Sequence, residues 1–338
     1  MESKPQIVVL GGGTGTFTVL TGLKEYPVDL SAVVSVADDG GSTGRLRSEY
    51  GVLPPGDICR CLVALSECSD VLRRTFDHRF ENGSVHGHRL GNLILTALEE
   101  AVGGDRLAAV DAAHEMLRVR GRVIPVSAQE GNLCAVLRNG EMITGEHEID
   151  QPEGRRSQIE SCYLDPMISA NPKAVTAILH ADLVVFAPGD LYTSLIPVLL
   201  VDGIPAALYR TQGKVVYILG LTTKNGQTDG YGAMQFCKEV CHYLFPETLD
   251  AVLMNQAPPS QVLVEKYQEQ GASLVTDDLG SSHPFEVHRT DLISNKSVAR
   301  TPGDVLAAQR SLIRHDPEKL AKALLKLLPA GTFPEFFT

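Results

Sequence analysis

The sequence has no tryptophan, and it has no uninterrupted apolar run of the roughly 18 residues that a membrane-spanning helix needs. Its first residues also lack the basic, apolar and small-residue segments that together make a secretory signal peptide. The first absence predicts that nothing inserts into a membrane, and the second argues against export. We therefore predict a cytoplasmic protein.

Cysteine is sparse, and its spacing does not suggest pairing. The chain has seven cysteines, an odd number, and no Cys-x-x-Cys pair. Cys237 and Cys241 are four residues apart with His242 beside them, but no further metal ligands follow nearby. Cys59 and Cys61 are separated by one residue, which is poor spacing for chelation. Because free cysteine usually behaves as a small core residue, we predict buried, reduced thiols.

Positive charge is also scarce. The chain holds 30 Lys and Arg against 41 Asp and Glu, for a formal net charge of −11. A general nucleic-acid binder must neutralise many phosphates, so this balance predicts that nucleic acid is not a partner. Net charge does not describe a single site, however, and a local basic pocket for one small anion remains compatible with it.

Strand-like and helix-like segments alternate along the chain. The predicted strands are Gln6–Leu10, Leu30–Val36, Leu183–Ala187, Ile204–Tyr209, Val215–Leu221, Leu249–Asn255 and Ser273–Thr276. The predicted helices are Phe17–Tyr26, Ile58–Ser66, Leu90–Val102, Leu107–Val119 and Pro317–Leu328, the last capped by Asp316. Such alternation predicts an α/β fold with a doubly wound, mostly parallel, Rossmann-like sheet.

One segment, at approximately 120–170, departs from this alternation. It contains short β-like runs separated by turn signals, the strongest being Asn139-Gly140. We predict a small β-rich insertion there, packed on the main sheet. The polar stretch Asp150–Gln158 reads as an exposed loop.

A glycine-rich turn follows the first predicted strand and precedes the first helix. Glycines let backbone N–H groups approach an anion, and the helix N-terminus adds its dipole. The turn lacks the Gly-Lys-Ser/Thr of a P-loop, and the third glycine of a dinucleotide fingerprint is replaced by Thr16. The candidate phosphate-binding residues are Gly11, Gly12, Gly13, Thr14, Gly15 and Thr16.

A second glycine-rich segment follows the second strand, directly after Asp38 and Asp39. Either carboxylate could hold Mg²⁺ or accept a hydrogen bond from a sugar hydroxyl, and either could instead cap a turn. Arg45 could pair with phosphate in a bidentate manner, or form a surface salt bridge. The candidate ligand-binding residues here are Gly40, Gly41, Ser42, Thr43 and Arg45.

Three more polar segments precede helices. His86 and His88 lack a third metal ligand at matching spacing, so a polar ligand fits them better than a metal. Since loops at strand C-termini converge on one crevice in open α/β sheets, the five segments together predict a site for a phosphorylated nucleotide. The additional candidates are Asp57, His88, Asn92, Gly189, Asp190, Tyr192, Thr193 and Ser194.

These segments resemble the signature of the YvcK-type gluconeogenesis factors, which belong with CofD, the 2-phospho-L-lactate transferase. The resemblance covers nearly the whole chain and implies a CofD-like fold with a single nucleotide-binding domain over residues 1–338. The segments that carry it are Val36–Arg47, Leu53–Ser66, Gly87–Leu98, Pro188–Ser194 and the triplet Arg314-His315-Asp316.

The resemblance implies two functions. YvcK-type members bind UDP-sugars, notably UDP-N-acetylglucosamine, and influence central carbon metabolism, cell-wall synthesis and cell shape. This reading needs no cofactor for binding and places Arg314 and His315 on the ligand diphosphate. CofD members instead use Mg²⁺ and a guanylylated donor to transfer a phospholactyl group; Asp38 and Asp39 would then be the metal-binding and catalytic residues. Whether a reaction occurs stays open, and a homodimer is expected on base rates alone.

The chain also departs from the family pattern. The usual Asp-Ile-Arg-Asn-Cys helix start shifts its arginine by one position, to Arg60. The usual Gly-Pro-Gly-Ser ends in Asp190, which would repel a phosphate unless a cation intervenes. Gly220 stands where an asparagine is usual, and Gln227 where a glutamate is usual. These departures bear on the identity of the ligand more than on the fold.

Overall fold

A computed structural model describes residues 4–151, 157–269, 271–294 and 313–329. The strands in these ranges are β1 (Gln6–Gly11), β2 (Asp29–Val34), β3 (Arg122–Pro125), β4 (Asn132–Leu137), β5 (Met142–Thr144), β6 (Ile159–Asp165), β7 (Leu183–Phe186), β8 (Lys214–Ile218), β9 (Ala251–Asn255) and β10 (Glu286–Thr290).

The helices begin at the glycine-rich turns and at the other polar segments. They are α1 (Thr14–Leu23), α2 (Gly41–Tyr50), α3 (Pro55–Leu65), α4 (Asp70–Asp77), α5 (Leu90–Ala101), α6 (Arg106–Leu117), α7 (Glu146–Asp150), α8 (Pro172–Leu179), α9 (Ile196–Leu199), α10 (Ile204–Arg210), α11 (Ala233–His242), α12 (Gln261–Glu269) and α13 (Pro317–Leu325). A π-helical turn, Leu191–Leu195, leads into α9. None of these helices combines the length and apolarity that crossing a membrane requires.

The large sheet confirms the predicted fold class. Its strand order is β10-β9-β8-β7-β1-β2-β3, and every neighbouring pair is parallel. β1 lies between β2 and β7, with Ile7 opposite both Leu30 and Leu183. Because helices cover both faces, the central strands are apolar at consecutive positions, as the sequence pattern indicates.

Alternate residues of β1 serve two separate cores, one on each face of the sheet. Val8 and Leu10 pack into the cluster that includes the small sheet and helices α8 to α11. Ile7 and Val9 pack into the cluster formed with α1, α3, α5, α6 and α13. Gly22 of α1 makes close packing on α13 feasible, because a methyl group there would overlap the carbonyl of Pro317.

The predicted β-rich insertion is a three-stranded antiparallel sheet of order β5-β4-β6. β4 and β5 form a hairpin whose turn contains Asn139 and Gly140, with Gly140 at φ +84°. This confirms the Asn-Gly hairpin. β3 is not part of this sheet, since it is the edge strand of the large one. Of the predicted loop Asp150–Gln158, Asp150 ends α7 and residues 152–156 lie outside the described ranges.

Two predicted strands are wrong. Ile204–Tyr209 lies in helix α10, and a short apolar run does not distinguish a strand from a buried helix. Ser273–Thr276 contributes only an isolated bridge between Leu274 and Thr222. The edge strand β10 was not predicted because its sequence, Glu-Val-His-Arg-Thr, is largely polar. The predicted last helix is confirmed, with the Asp316 carboxylate accepting from two N–H groups of its first turn.

Candidate functional site

The glycine-rich turns meet at the carboxyl edge of the large sheet. After β1 the chain moves to β2 on one side, whereas β7 occupies the other side of β1. This reversal of strand order leaves a crevice beyond β1, where ligands bind in open α/β sheets. The loops after β1, β2 and β7 contribute to it, together with the start of α3.

The turn between β1 and α1 has two glycines at its centre, and polar side chains of other elements lie close to their backbone. A methyl group on Gly12 would stand 2.9 Å from Oδ2 of Asp57 and 3.0 Å from Oγ of Ser194. A methyl group on Gly13 would overlap Oδ1 of Asp57. Helix α1 has no side-chain cap of its own, and the backbone N–H of Gly13 donates to Asp57. The carboxylate therefore occupies a position suited to an anion.

Gly11 and Gly15 allow close packing around the turn. A methyl group on Gly15 would overlap the carbonyl of Pro188 in the loop after β7, so only glycine lets α1 approach this loop. The Thr16 hydroxyl is buried beside Gly11 and has no hydrogen-bond partner among the described residues. Thr14, at the exposed start of α1, accepts a 2.6 Å hydrogen bond from Nη1 of Arg60.

Asp38 and Asp39 have different surroundings. Asp38 accepts from the N–H of Gly40 at 3.0 Å and from the hydroxyl of Thr43. Burial raises the pKa of Asp38, the charge of Asp39 adds to that rise, and the two hydrogen bonds oppose it. Asp39 accepts from the N–H groups of His147 at 2.8 Å and Glu146 at 3.2 Å, so it caps α7 of the small sheet.

Carboxylates from three elements raise one another's proton affinity in the crevice. Burial, and then the charge of Asp38, raise the pKa of Asp57 to about 7, while Arg60 and Arg89 oppose the rise. Burial, with Asp38 and other nearby carboxylates, raises the pKa of Glu146 to about 10. The site is therefore acidic, and it carries protons that ordinary carboxylates would lose at neutral pH.

Lys224 forms an ion pair with Asp190 in the loop after β7. Nζ of Lys224 donates to Oδ2 of Asp190 at 2.6 Å and also to Asp150 at the end of α7. Burial alone would lower the pKa of Lys224, but these two carboxylates outweigh it and raise the pKa. Asp150 also accepts from Thr193 at 3.1 Å and from Gln227 at 3.3 Å. Asp190 is thus already paired with a cation.

Residues of α2, of α5 and of the segment just before α5 form a buried polar cluster. Nδ1 of His88 lies 3.0 Å from Oγ of Ser42, and Nδ2 of Asn92 donates to the same oxygen at 3.2 Å. Burial lowers the pKa of His88, so the ring is neutral at pH 7. Oδ1 of Asn92 has no partner among the described residues. Arg45 donates to the carbonyl of His86 at the exposed edge of this cluster.

The remaining predicted residues divide between the crevice and the core. Gly40 and Gly41 begin α2, and Gly189 lies beside Ser194 in the loop after β7. Tyr192 is fully buried, and its hydroxyl pairs with that of Tyr231 at 2.9 Å, so its side chain belongs to the core.

The Arg314-His315 pair lies near β8 and β10, on the side of the sheet opposite β2 and β3. His315 forms a bridge to Ile293 and a hydrogen bond to the backbone of Leu219, which follows β8. Burial lowers the pKa of His315 to about 4, and Nε2 has no hydrogen-bond partner in the described part of the chain. The carbonyl of Arg314 accepts from the N–H of Ser294 at 2.9 Å. This pair therefore reaches the carboxyl edge after β8 and β10.

Metal binding draws no support from clusters in the described ranges. No group of three or more His, Cys, Asp or Glu there has the arrangement of a metal site. Both aspartates of the predicted pair already accept two hydrogen bonds: Asp39 from two backbone N–H groups, and Asp38 from the Gly40 N–H and the Thr43 hydroxyl. The seven cysteines are free thiols, five of them buried, as predicted.

Comparisons with known proteins identify the family. Residues 7–296 match the family described as 2-phospho-L-lactate transferase CofD. The chain belongs to the CofD family, among the gluconeogenesis factors. It is 37% identical to the gluconeogenesis factor of Bacillus subtilis over 333 residues, covering 97% of this chain and 99% of that protein. It is also 37% identical to the gluconeogenesis factor of Halalkalibacterium halodurans, covering 96% and 97%.

A solved structure of the same family confirms the fold. A UPF0052 family protein from Bacillus halodurans, determined at 2.60 Å, superposes with a TM-score of 0.86 at 35% identity. The similarity covers 96% of this chain and 99% of that one. The resemblance of the glycine-rich segments to the gluconeogenesis factors is therefore confirmed over nearly the whole sequence.

Several crevice residues were not among those predicted from the sequence. They come from the middle of α3, from α7 and from the loop after β8, where no glycine-rich turn marks a site: Arg60, Glu146, His147, Asp150, Lys224 and Gln227. Of these, Arg60 and Gln227 stand at positions where the sequence departs from the family pattern.

Proposed function

We propose that this protein binds a nucleoside diphosphate sugar, such as UDP-N-acetylglucosamine, in the crevice beyond β1. It would act in the cytoplasm as a regulator of central carbon metabolism, cell-wall synthesis and cell shape, without requiring a cofactor for binding. The observation that carries this proposal is the N-terminus of α1, which has no side-chain cap of its own and whose Gly13 N–H donates to Asp57. Gly12 and Gly13 there let Asp57 and Ser194 come close to the backbone.

The crevice offers complementary groups on its two sides. Backbone N–H groups at the start of α1, with Arg60 beside them, suit the diphosphate. Carboxylates such as Asp38 and Asp190 accept hydrogen bonds, which suits the hydroxyl groups of a sugar or ribose. A ligand that is anionic at one end and rich in hydroxyls at the other fits this division better than a compact phosphate does.

A thermal-shift panel followed by calorimetry tests this proposal. UDP-N-acetylglucosamine, GDP, GTP and NAD would be compared at equal concentration, because a ligand that binds only the folded state raises its stability by RT ln(1 + [L]/Kd). We expect UDP-N-acetylglucosamine to give the largest increase in melting temperature. A larger increase with NAD or GTP, or no increase with the UDP-sugar, would contradict the proposal.

A transferase of the CofD class is the second candidate, supported by the family match over residues 7–296. Asp38 would then contribute to holding Mg²⁺ on the donor diphosphate, and catalysis would consist of positioning and charge neutralisation. The test is Mg²⁺-dependent release of GMP from a guanylylated phospholactate donor with a deazaflavin acceptor. GMP release abolished by Asp38→Asn would favour this candidate over regulation by binding alone.

A further inference from the structure

We propose that Arg60 is the cation that binds the ligand phosphate at the glycine turn, and that Asp57 occupies the phosphate position when no ligand is present. This inference deepens the proposed function, on which it rests. The sequence pattern predicted neither role. The arginine of the family motif is shifted by one position on α3, to Arg60, and Asp57 was predicted to contact the ligand directly.

The first observation is the position of Asp57. Its two carboxylate oxygens lie beside Gly12 and Gly13, where a methyl group on either glycine would meet one of them. It accepts the Gly13 N–H, which is one of the donors that the start of α1 would offer to an anion. A phosphate and the ionised carboxylate cannot both take this position without strong repulsion, so the ligand has to displace or protonate Asp57.

The second observation is the position of Arg60 beside the same turn. Arg60 follows Asp57 by three residues, so both side chains project from one face of α3. Its Nη1 atom donates to Thr14 at 2.6 Å, and its Cδ atom would lie 2.8 Å from a methyl group on Gly13. Within the described part of the chain the guanidinium, which carries five N–H donors, makes this one side-chain hydrogen bond, so the group has capacity for a phosphate.

The third observation is the surrounding charge. Asp57 faces Asp38, Glu146 and the thiol of Cys61 as well as Arg60 and Arg89. Arg89 is buried and pairs with Asp77 at 3.4 Å, whereas Arg60 is only partly buried at the crevice. In an acidic crevice the phosphate needs a nearby cation, and Arg60 reaches the glycine turn.

Calorimetry on opposite substitutions provides the test, with UDP-N-acetylglucosamine and GDP as the probes. Arg60→Ala should weaken binding of the ligand that the parent prefers by roughly 30-fold, because it removes a charge-assisted contact. Arg60→Lys keeps the charge but not the bidentate geometry, so its affinity for the ligand should lie between those of the parent and Arg60→Ala. Asp57→Asn should tighten binding by about 3- to 10-fold, because the competing charge is gone. Arg210→Ala, an exposed arginine on α10, is the matched control and should bind like the parent.

The outcomes separate this inference from the proposed function. If the parent binds the probe and the dissociation constant of Arg60→Ala lies within about threefold of the parental value, Arg60 is excluded as the phosphate-binding cation, and the proposed function is unaffected. Weaker binding by Asp57→Asn would show that this carboxylate contacts the ligand, and would overturn its role as a stand-in for phosphate. If the parent binds neither probe, the proposed function and the inference both fail. A cooperative melting transition of each apo variant, at or above the parental melting temperature, would confirm that the variant is folded.

Discussion

At the scale of single residues, Asp57 has the most informative chemistry. Its pKa is raised to about 7, mainly by burial and then by Asp38, so in the folded state the carboxyl is protonated at mildly acidic pH. A raised pKa contributes stability below the unfolded value, near 4, and that stability is lost as the pH rises through about 7. The ionised form at pH 8 is therefore a cost to the apo protein.

Asp57→Asn should consequently be more stable than the parent at pH 8 by roughly 1–3 kcal/mol, and about equal to it at pH 4. Urea denaturation of both proteins at pH 4, 6 and 8 measures this difference. Because the charge of Asp57 also raises the pKa of Glu146, the measured difference includes the relief of that neighbour. A difference in the free energy of unfolding that stays constant with pH would contradict the raised pKa.

The sequence predicted the residues that contribute backbone to the crevice better than those that contribute long side chains. Gly12 and Gly13 were identified because a glycine-rich strand-to-helix turn has few structural uses other than close approach. Lys224 was not identified, since it follows β8 and meets Asp190 only once the strand order is known. A lysine in a loop carries no local signal of its partner.

At the scale of elements, two glycines at the start of α1 have different roles: Gly13 leaves room for a ligand, and Gly15 lets α1 pack against the loop after β7. Gly13→Val should abolish ligand binding while the protein still folds, because the added side chain meets the side chains of Asp57 and Arg60, which can move. Gly15→Ala should instead destabilise the fold by about 2 kcal/mol or more, because its methyl group meets the backbone of Pro188.

Melting temperatures and calorimetric affinities of both glycine variants test this contrast. A folded Gly13→Val protein with parental affinity would remove the glycine turn from the site. A Gly15→Ala protein as stable as the parent would show that α1 and the loop after β7 separate readily.

Helix α7 is fixed at both ends by residues of the crevice. Asp39 caps its N-terminus, and Asp150 at its end joins Lys224 and Thr193. Asp39→Asn keeps one acceptor oxygen of two, so we expect a loss of about 1 kcal/mol with little change in ligand affinity. Asp38→Asn should raise stability at pH 8, because burial raises the pKa of Asp38, and should weaken recognition of Mg²⁺ or a ligand hydroxyl.

Chemical denaturation and ligand titration with and without Mg²⁺ separate these two aspartates. If both variants bind ligand and metal like the parent, the carboxylates are structural only.

The errors in element assignment have a common origin. Strand and helix cannot be distinguished in a short apolar run such as Ile204–Tyr209, where Gly203 at φ +96° and Pro205 begin a helix instead. Edge strand β10 is polar because much of its surface is solvated. Long amphipathic helices and central strands were predicted correctly because their patterns extend over several turns or bury both faces.

At the scale of the whole molecule, the chain returns to the carboxyl edge of the sheet at its far end. The N–H of Asp316 donates to the carbonyl of Leu292, and His315 reaches Leu219 beyond β8. We expect Arg314→Ala to weaken UDP-sugar binding roughly 30-fold at unchanged apo melting temperature, since the loss of one partner from a buried charged contact costs about 2–5 kcal/mol. Titration calorimetry measures it, and a dissociation constant within about threefold of the parent would exclude this arginine from the site.

The order of the strands has a consequence for synthesis on the ribosome. β1 leaves the exit tunnel before both of its neighbours in the sheet, β2 and β7, and the N–H of Gln6 donates to Asp182, 176 residues later. At about 5–20 residues per second, β1 waits roughly 10–35 s for the neighbour on its second edge. During that interval its apolar edge is unpaired, so truncated nascent chains that end before β7 should be the ones most dependent on chaperones.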